Sequence, residues 1–214
     1  MKKYSIILAG GLGLRMKSVI PKQFLEIDGK PIIVLTIQQF LEYDKNINLI
    51  VVLRAEQVNS WKQIQKSFLP NESVIIAIGG ETRTESVRAG LNKIYSEGLV
   101  AIHDAVRPFV SKKTIAASFD SADLHGSGVS VIELKDSIRK VDRVKGSSSL
   151  DRRDFRLVQT PQTFRINEIK KAYDLVEGKN FSDDASLYED AGFKVKVVAG
   201  TFDNIKITTP EDIQ

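Results

Sequence analysis

The sequence predicts an α/β fold in which a mainly parallel twisted sheet is flanked by helices. Short β-rich apolar runs alternate with segments of helical period, the pattern of βαβ units. Glycine pairs follow the first and third of those runs, where a strand must turn toward its next element. With 214 residues and 42% apolar composition the chain can bury a sizeable core, and without an internal repeat or linker we expect one domain over 1–214.

Tyr4 to Leu8 reads as the first strand. Pro31 opens a helix whose Ile32, Leu35, Ile37 and Phe40 follow a 3.6-residue period, and Asn48 to Leu53 is the second strand. A helix over Glu56 to Phe68 leads to a third strand, Ser73 to Ile78, and Gly79-Gly80. The helix after it carries Val87, Leu91 and Ile94 on one face and begins with a capping-box pair, Thr82 and Glu85. Leu99 to His103 is a fourth strand, Lys112 to Leu124 a helix with a polar face, and GVSVIEL a fifth strand ending near Leu134. The alternating charges and Gly-Ser tract of Lys135 to Ser149 bury little surface, which suits either a surface hairpin or an arm packed on another subunit. Beyond RLVQTPQTF come a helix at Ile166 to Val176, a capped helix from Ser182 to Asp190 stopped by Gly192, and strands around Lys194 to Val198 and Ile205 to Ile207.

Composition narrows the function. The formal net charge of +4 favours anionic ligands, but no long basic run points to nucleic acid. The absence of cysteine removes disulfides, thiol nucleophiles and Cys metal sites, and two histidines make no His cluster. The apolar start is too short to span a membrane and meets a glycine turn where a signal peptide would stay hydrophobic. We expect a cytoplasmic protein.

ILAGGLGLRMKSVIPKQ, residues 7 to 23, is the first motif. A dinucleotide fingerprint needs a third glycine where Met16 stands, and no Gly-Lys-Ser/Thr follows to make a P-loop. What remains is a glycine turn whose amides can form an anion-binding concavity beside Arg15 and Lys22, or a plain flexible connection with both cations solvated. GGETRTESV reads first as a helix entrance, and second as a turn whose unhindered amides at Gly79-Gly80 suit a nucleobase edge. In IHDAVRPFV, His103, Asp104 and Arg107 follow a buried strand at the edge where open α/β sheets bind ligands. Asp104 suits Mg²⁺ or a ribose hydroxyl and Arg107 a phosphate, although the two also suit a simple ion pair. FSDDAS needs nothing beyond a helix cap and acidic first turn. Lys206, between Ile205 and Ile207, faces solvent or a site by strand alternation.

The blocks LAGGLGLRM, PKQ, GGETRTESVRAGL, IHDAVRP, QTPQTF, SDDASL and NIKITTPED together resemble the 2-C-methyl-D-erythritol 4-phosphate cytidylyltransferase family in order and spacing. The resemblance runs from Ser5 to Ile213. It implies a Rossmann-like nucleotidyltransferase fold, Mg²⁺ dependence, and a homodimer joined by an extended β-arm at about 135–158. It implies that CMP passes from CTP to 2-C-methyl-D-erythritol 4-phosphate with release of pyrophosphate, in non-mevalonate isoprenoid precursor synthesis. On matching positions, Ala9, Gly10, Gly11 and Gly13 border the base and phosphates of CTP, and Gly80, Glu81 and Ser86 recognise cytosine. Asp104 and Ala105 hold ribose and sugar-phosphate, with Asp104 and Asp203 as metal candidates. Arg107, Thr160 and Ser182 fall to the acceptor, with Ser137 and Arg152 contributed across the dimer. Arg15, Lys22 and Lys206 are the catalytic cations. The family often has threonine where Ser137 and Ser182 stand, and its members commonly continue past the PEDI stretch into a terminal helix, so the resemblance implies a trimmed chain or a short last helix.

A phosphate monoester has a second pKa near 6, so the acceptor is already a nucleophile at neutral pH and no general base is required. Two readings compete: a ribitol 5-phosphate cytidylyltransferase sharing most of these motifs, and a nucleotide-binding regulator without catalysis. A dehydrogenase is poorest, because Met16 spoils its fingerprint.

Overall fold

The computed structural model describes residues 1–11, 20–144, 146–176, 179 and 181–213. Its centre is a seven-stranded sheet in which β1 (Lys3–Leu8) lies between β4 (Asn48–Leu53) and β6 (Leu99–Asp104), with β5 (Val74–Ile78) at the edge beyond β4. These four pair in parallel. On the other side of β6 come β10 (Arg156–Arg165), β7 (Ser127–Glu133) and β11 (Val197–Ala199), and β10 alone runs antiparallel to its neighbours. The order β5-β4-β1-β6 reverses direction of winding at β1, so the crevice beyond the carboxyl ends of β1 and β6 is the place for a ligand.

Alternation along β1 assigns the two cores. Ile6 packs with Val52, Val87, Leu91, Ile102, Phe164, Tyr173 and Tyr188, beneath α3 (Arg83–Leu91), α5 (Ile166–Leu175) and α6 (Asp184–Asp190). Ile7 packs with Val51, Leu53, Ile37, Phe40, Trp61 and Phe119, beneath α1 (Ile32–Tyr43), α2 (Val58–Phe68) and α4 (Lys112–His125). No helix among the described residues is long and apolar enough to cross a membrane.

Most elements lie where periodicity puts them, and the capping box at Thr82 and Glu85 is formed. Four readings change. The α2 region opens with a 3-10 turn at Ala55–Gln57 before the α-helix. Asp183, not Ser182, caps α6, because its carboxylate accepts from Ser186 N at 3.1 Å while Ser182 stays exposed outside the helix. The last sheet strand is shorter than Lys194 to Val198, since Ser127 Oγ bonds Lys194 O and Lys196 N in place of ladder partners. Ile205 to Ile207 is no strand: Ile205 N turns back to Asp203 O, and Ile207 N bonds Val106 O in the loop after β6.

The stretch RLVQTPQTF becomes β10, which Pro161 hides from a sequence reading because proline is foreign to a central strand. It is tolerated because the register with β7 shifts between Val158 and Gln162. The Thr160-Pro161 bond is cis. The alternately charged tract forms a separate hairpin of β8 (Ile138–Asp142) and β9 (Gly146–Leu150), standing away from the main sheet. A short pair, β2 (Glu26–Ile27) and β3 (Lys30–Pro31), precedes α1.

Candidate active site

Two clefts open at the carboxyl ends of β1, β5 and β6 and share a wall. One, of about 300 Å³, is lined by Leu8 to Gly11, Lys22, Gln23, Arg54, Gly80 to Arg83, Ser86, Val106 and the shared residues Asp104 and Lys206. The other, of about 360 Å³, is lined by Arg107, residues 158–160, Gln162, Ser182, Asp183 and Ser186, and again by Arg83, Asp104 and Lys206. Arg83, Asp104 and Lys206 are thus the only described residues common to both walls.

Asp104 ends β6 and is the electrostatic hub. Its Oδ2 takes Lys206 Nζ at 3.0 Å and Arg107 Nε at 3.3 Å, while Oδ1 makes no hydrogen bond among the described residues. Burial alone would raise its pKa, but the nearby charges of Lys206, Arg83 and Arg107 prevail and hold the carboxyl well below the usual carboxylate range. The simple ion pair between Asp104 and Arg107 is therefore real, and it sits in a larger cationic cluster. Lys206, far from being merely solvated, reaches this cluster.

His103 explains why the turn after β6 holds its shape. It is fully buried against Phe40, and that burial lowers its pKa to about 4. The ring is neutral at pH 7. Its Nε2 lies 3.1 Å from Arg107 O, which can only accept, so Nε2 carries the proton and donates. Nδ1 then accepts from Thr160 Oγ1 at 3.0 Å, and the same hydroxyl accepts from Asp104 N at 3.1 Å. The only histidine near the site has both nitrogens committed and is not placed to act as a base.

Arg83 stands on a buried counter-charge. Its guanidinium donates to Asp184 Oδ1 and Oδ2 at 3.0 and 2.6 Å, and Tyr173 Oη donates to the same Oδ1 at 2.6 Å. Burial opposes the Arg83 charge, yet Asp184 raises its pKa above the ordinary guanidinium value. Lys22 donates to Ile207 O at 3.1 Å, which ties the PKQ turn to the residue after Lys206. Gln23 Nε2, next to it, donates to Ala9 O at 2.5 Å, so the glycine turn and the lysine are held together.

Packing requires the glycines at 79 and 80. A Cβ on Gly80 would lie 2.5 Å from the Glu85 carboxylate, and one on Gly79 would lie 2.7 Å from Ser86 Oγ. Glu85 accepts from the N–H groups of Glu81 and Thr82 at 2.7 and 3.0 Å, so the helix-entrance reading of GGETRTESV is formed.

The structure thus gathers Ala9, Gly10, Gly11, Lys22, Gly80, Glu81, Ser86, Asp104 and Lys206 in one cleft, and Arg107, Thr160 and Ser182 in the other. Gly13 and Arg15 lie outside the described residues. Ala105 is fully enclosed, its N–H bonded to Leu8 O and its carbonyl to Thr36 Oγ1, so it shapes the turn without lining either cleft. Ser137 is exposed at the foot of the hairpin, and Arg152 is exposed with its Nη1 on Lys135 O. Asp203 is exposed and lines neither cleft. Sequence reasoning missed Arg83, although it sits inside the quoted GGETRTESV; nothing local separates it from a solvated helix arginine, because its partner Asp184 is a hundred and one residues away.

The family model for 2-C-methyl-D-erythritol 4-phosphate cytidylyltransferase matches residues 4–214. The chain belongs to that family. It is 42% identical over 214 residues to the 2-C-methyl-D-erythritol 4-phosphate cytidylyltransferase of Phocaeicola vulgatus, covering 100% of this chain and 97% of that one. The protein of the same name in Bacteroides thetaiotaomicron is 41% identical, with 100% and 97% covered. Among solved structures, the 4-diphosphocytidyl-2C-methyl-D-erythritol synthase of Anaerococcus prevotii superposes with a TM-score of 0.86 at 30% identity, over 99% of this chain and 92% of that one. The cytidylyltransferase of Thermus thermophilus gives 0.78 at 28% identity, over 100% and 96%. As a member of this cytidylyltransferase family, the chain catalyses the CTP-dependent cytidylylation of 2-C-methyl-D-erythritol 4-phosphate, a step of the non-mevalonate isoprenoid pathway.

Proposed function

We propose that this cytidylyltransferase binds CTP in the cleft of the glycine turns, binds the acceptor phosphate in the cleft of Arg107 and Thr160, and brings them together across Asp104 and Lys206. The observation that carries the reading is the shared wall: two clefts meet at one buried carboxylate and its cations. An oxygen of the acceptor phosphate attacks the α-phosphorus of CTP in line. As that bond forms, the bond from the α-phosphorus to the bridging oxygen breaks, and pyrophosphate leaves with its electron pair. The acceptor arrives ionised, so the barrier is mutual repulsion of anions and charge on the phosphoryl oxygens. Lys22, with Arg15, stabilises the triphosphate and leaving group, and Lys206 meets the α-phosphate from the acceptor side.

Gly80, Glu81 and Ser86 read the cytosine, Ala9, Gly10, Gly11 and Gly13 border its nucleotide, and Asp104 orients the ribose side with Ala105 behind it. Mg²⁺ suits this donor set in one way. Among the described residues no three His, Asp or Glu groups cluster, so a protein cage is not on offer. An ionised Asp104 with a spare Oδ1 fits an ion that keeps most of its waters and takes one carboxylate plus substrate phosphates. When bound it supplies charge neutralisation on the phosphates. Asp203, exposed and off both walls, is the weaker of the two ligands.

The hairpin supports a homodimer. An isolated two-stranded hairpin is marginal in water, and Val141 and Val144 are 76% and 92% exposed on it, so a second subunit is its natural cover. Ser137 and Arg152 at its foot would then serve the partner's acceptor cleft. Two water-soluble phosphate substrates and a chain without cysteine suit a cytoplasmic enzyme.

The test measures pyrophosphate release from CTP and Mg²⁺ with methylerythritol phosphate, ribitol phosphate, or no acceptor. Turnover is expected with the first. Lys22→Ala and Lys206→Ala should fold and lose about 10²-fold or more in kcat; wild-type rates in both would remove the catalytic assignment. Arg152→Ala should raise the acceptor KM far more than that of CTP, and equal effects would count against the arm.

A further inference from the structure

Lys206 lies in a segment that belongs to no strand, yet its ammonium is held on Asp104. The contacts that fix this segment converge on Asn204, which is fully buried. Its Nδ2 donates to Thr160 O at 2.7 Å and to Gln159 Oε1 at 3.3 Å, clamping the segment to the β10 irregularity. Gln159 answers with Nε2 on Thr201 O at 2.9 Å and on Asn204 O at 3.3 Å. The same Asn204 carbonyl accepts Arg107 Nη1 at 2.8 Å. Arg107 therefore spans from Asn204 O to Asp104 Oδ2, and Lys206, two residues on, reaches the same Oδ2.

We propose that Asn204, with Gln159, is the positioning residue that holds Arg107 and Lys206 jointly against Asp104, and so sets the acceptor side of the reaction. The Asn204 amide lines neither cleft and acts through the two cations, while Gln159 also stands in the wall of the second cleft, so Asn204→Ala is the decisive variant. A buried amide is suited to this, because it anchors a loop backbone by directed bonds where no β-ladder exists. Among the described residues its Oδ1 is buried without a partner, an arrangement tolerated for the geometry that Nδ2 secures. The inference rests on the assignment of Lys206 and Arg107 above.

The experiment compares full-length Asn204→Ala and Gln159→Leu with the wild type, using steady-state kinetics in both substrates and calorimetric CTP binding without acceptor. A displacement of reacting groups by about 1 Å costs up to roughly 10²-fold, so kcat should fall and acceptor KM rise, each by about tenfold or more, while CTP affinity holds within about threefold. In a Lys206→Ala background, Asn204→Ala should add little further loss in kcat, since groups acting as a unit are non-additive. Wild-type kcat and acceptor KM, an equal loss of CTP affinity, or full additivity with Lys206→Ala would each overturn the proposal. Failure of both variants to fold would make the pair a piece of core and overturn it too. Should Lys206→Ala itself keep wild-type activity, the catalytic reading falls first; an inactive Lys206→Ala beside a normal Asn204→Ala sinks only the positioning role.

Discussion

Replacing Asp184 with alanine should be among the most damaging changes outside the hydrophobic core. Asp184 is completely buried and accepts two guanidinium bonds from Arg83, at 3.0 and 2.6 Å, and the Tyr173 hydroxyl at 2.6 Å. Its loss leaves a guanidinium only 25% exposed without its counter-charge, and breaking a buried pair in this way costs about 3–5 kcal/mol. The orphaned Tyr173 hydroxyl adds to this, whereas the exposed edge of Arg83 can recover some hydration, so the middle of that range is expected. In a protein of this size each kcal/mol moves Tm by about 2–4 °C, which gives a fall of roughly 8–16 °C.

Urea unfolding reads the effect directly, as a lowered midpoint at unchanged slope. Asp184→Asn keeps the shape and one acceptor oxygen, and should fall between alanine and wild type. Activity measured well below the new Tm should also drop, because Arg83 stands in both cleft walls and would lose its fixed orientation. A stability loss below about 1 kcal/mol in Asp184→Ala would show that Arg83 is solvated without its partner and would refute the argument.

Two further outcomes follow from the same geometry. Burial depresses His103 to about 4, so the unfolded chain takes up its proton from near 6.5 downward while the folded chain does not. Its contribution, about 3 kcal/mol, is complete above the unfolded value and lost as pH falls through the folded one. Urea midpoints between pH 7 and 4 should therefore decline more steeply in wild type than in His103→Gln, and parallel curves would contradict the buried neutral ring. Gly80→Ala places a Cβ 2.5 Å from the Glu85 carboxylate, which must release the N–H groups of Glu81 and Thr82. CTP KM should rise with little change in acceptor KM, and the reverse pattern would move the base site elsewhere.

What was legible in the sequence is what local chemistry determines. Pro31, the Thr82–Glu85 box and the apolar alternation of β1 and β4 each announce their element within a few residues. The site blocks were visible for the same reason, since glycine turns and strand-end charges lie next to apolar runs. The failures that bear on the site arise from long-range contacts. Ser182 lost the cap to Asp183 because that carboxylate also accepts from Gln162 Nε2, twenty-one residues away. The segment of Lys206 looked like a strand because Ile205 and Ile207 flank it, but Ile207 alone is buried, against Ile32 and Val106, and no partner strand meets it. Arg83 and Asn204 were invisible because their partners lie about a hundred and about forty-five residues away, in elements that only the fold brings together.

Charge balance gives the reason for that assembly. Five cationic side chains line the two clefts among the described residues, Lys22, Arg54, Arg83, Arg107 and Lys206, against three carboxylates, Glu81, Asp104 and Asp183. Asp184 behind the wall cancels most of what Arg83 adds. The net surplus is small, while a phosphate monoester alone carries about −1.5 to −2 and a triphosphate carries more. The described side chains therefore do not neutralise such anions by number of cations. Asp104 instead keeps Arg107 and Lys206 at fixed points, so in the proposed binding mode an incoming anion would meet donors whose reorganisation has already been done, which is where electrostatic catalysis gains most. The charge left uncompensated is the share a divalent cation would take. The same argument makes the buried amides of Gln159 and Asn204 as consequential as the cations they aim, since a cation free to follow its substrate stabilises ground state and transition state alike and accelerates nothing.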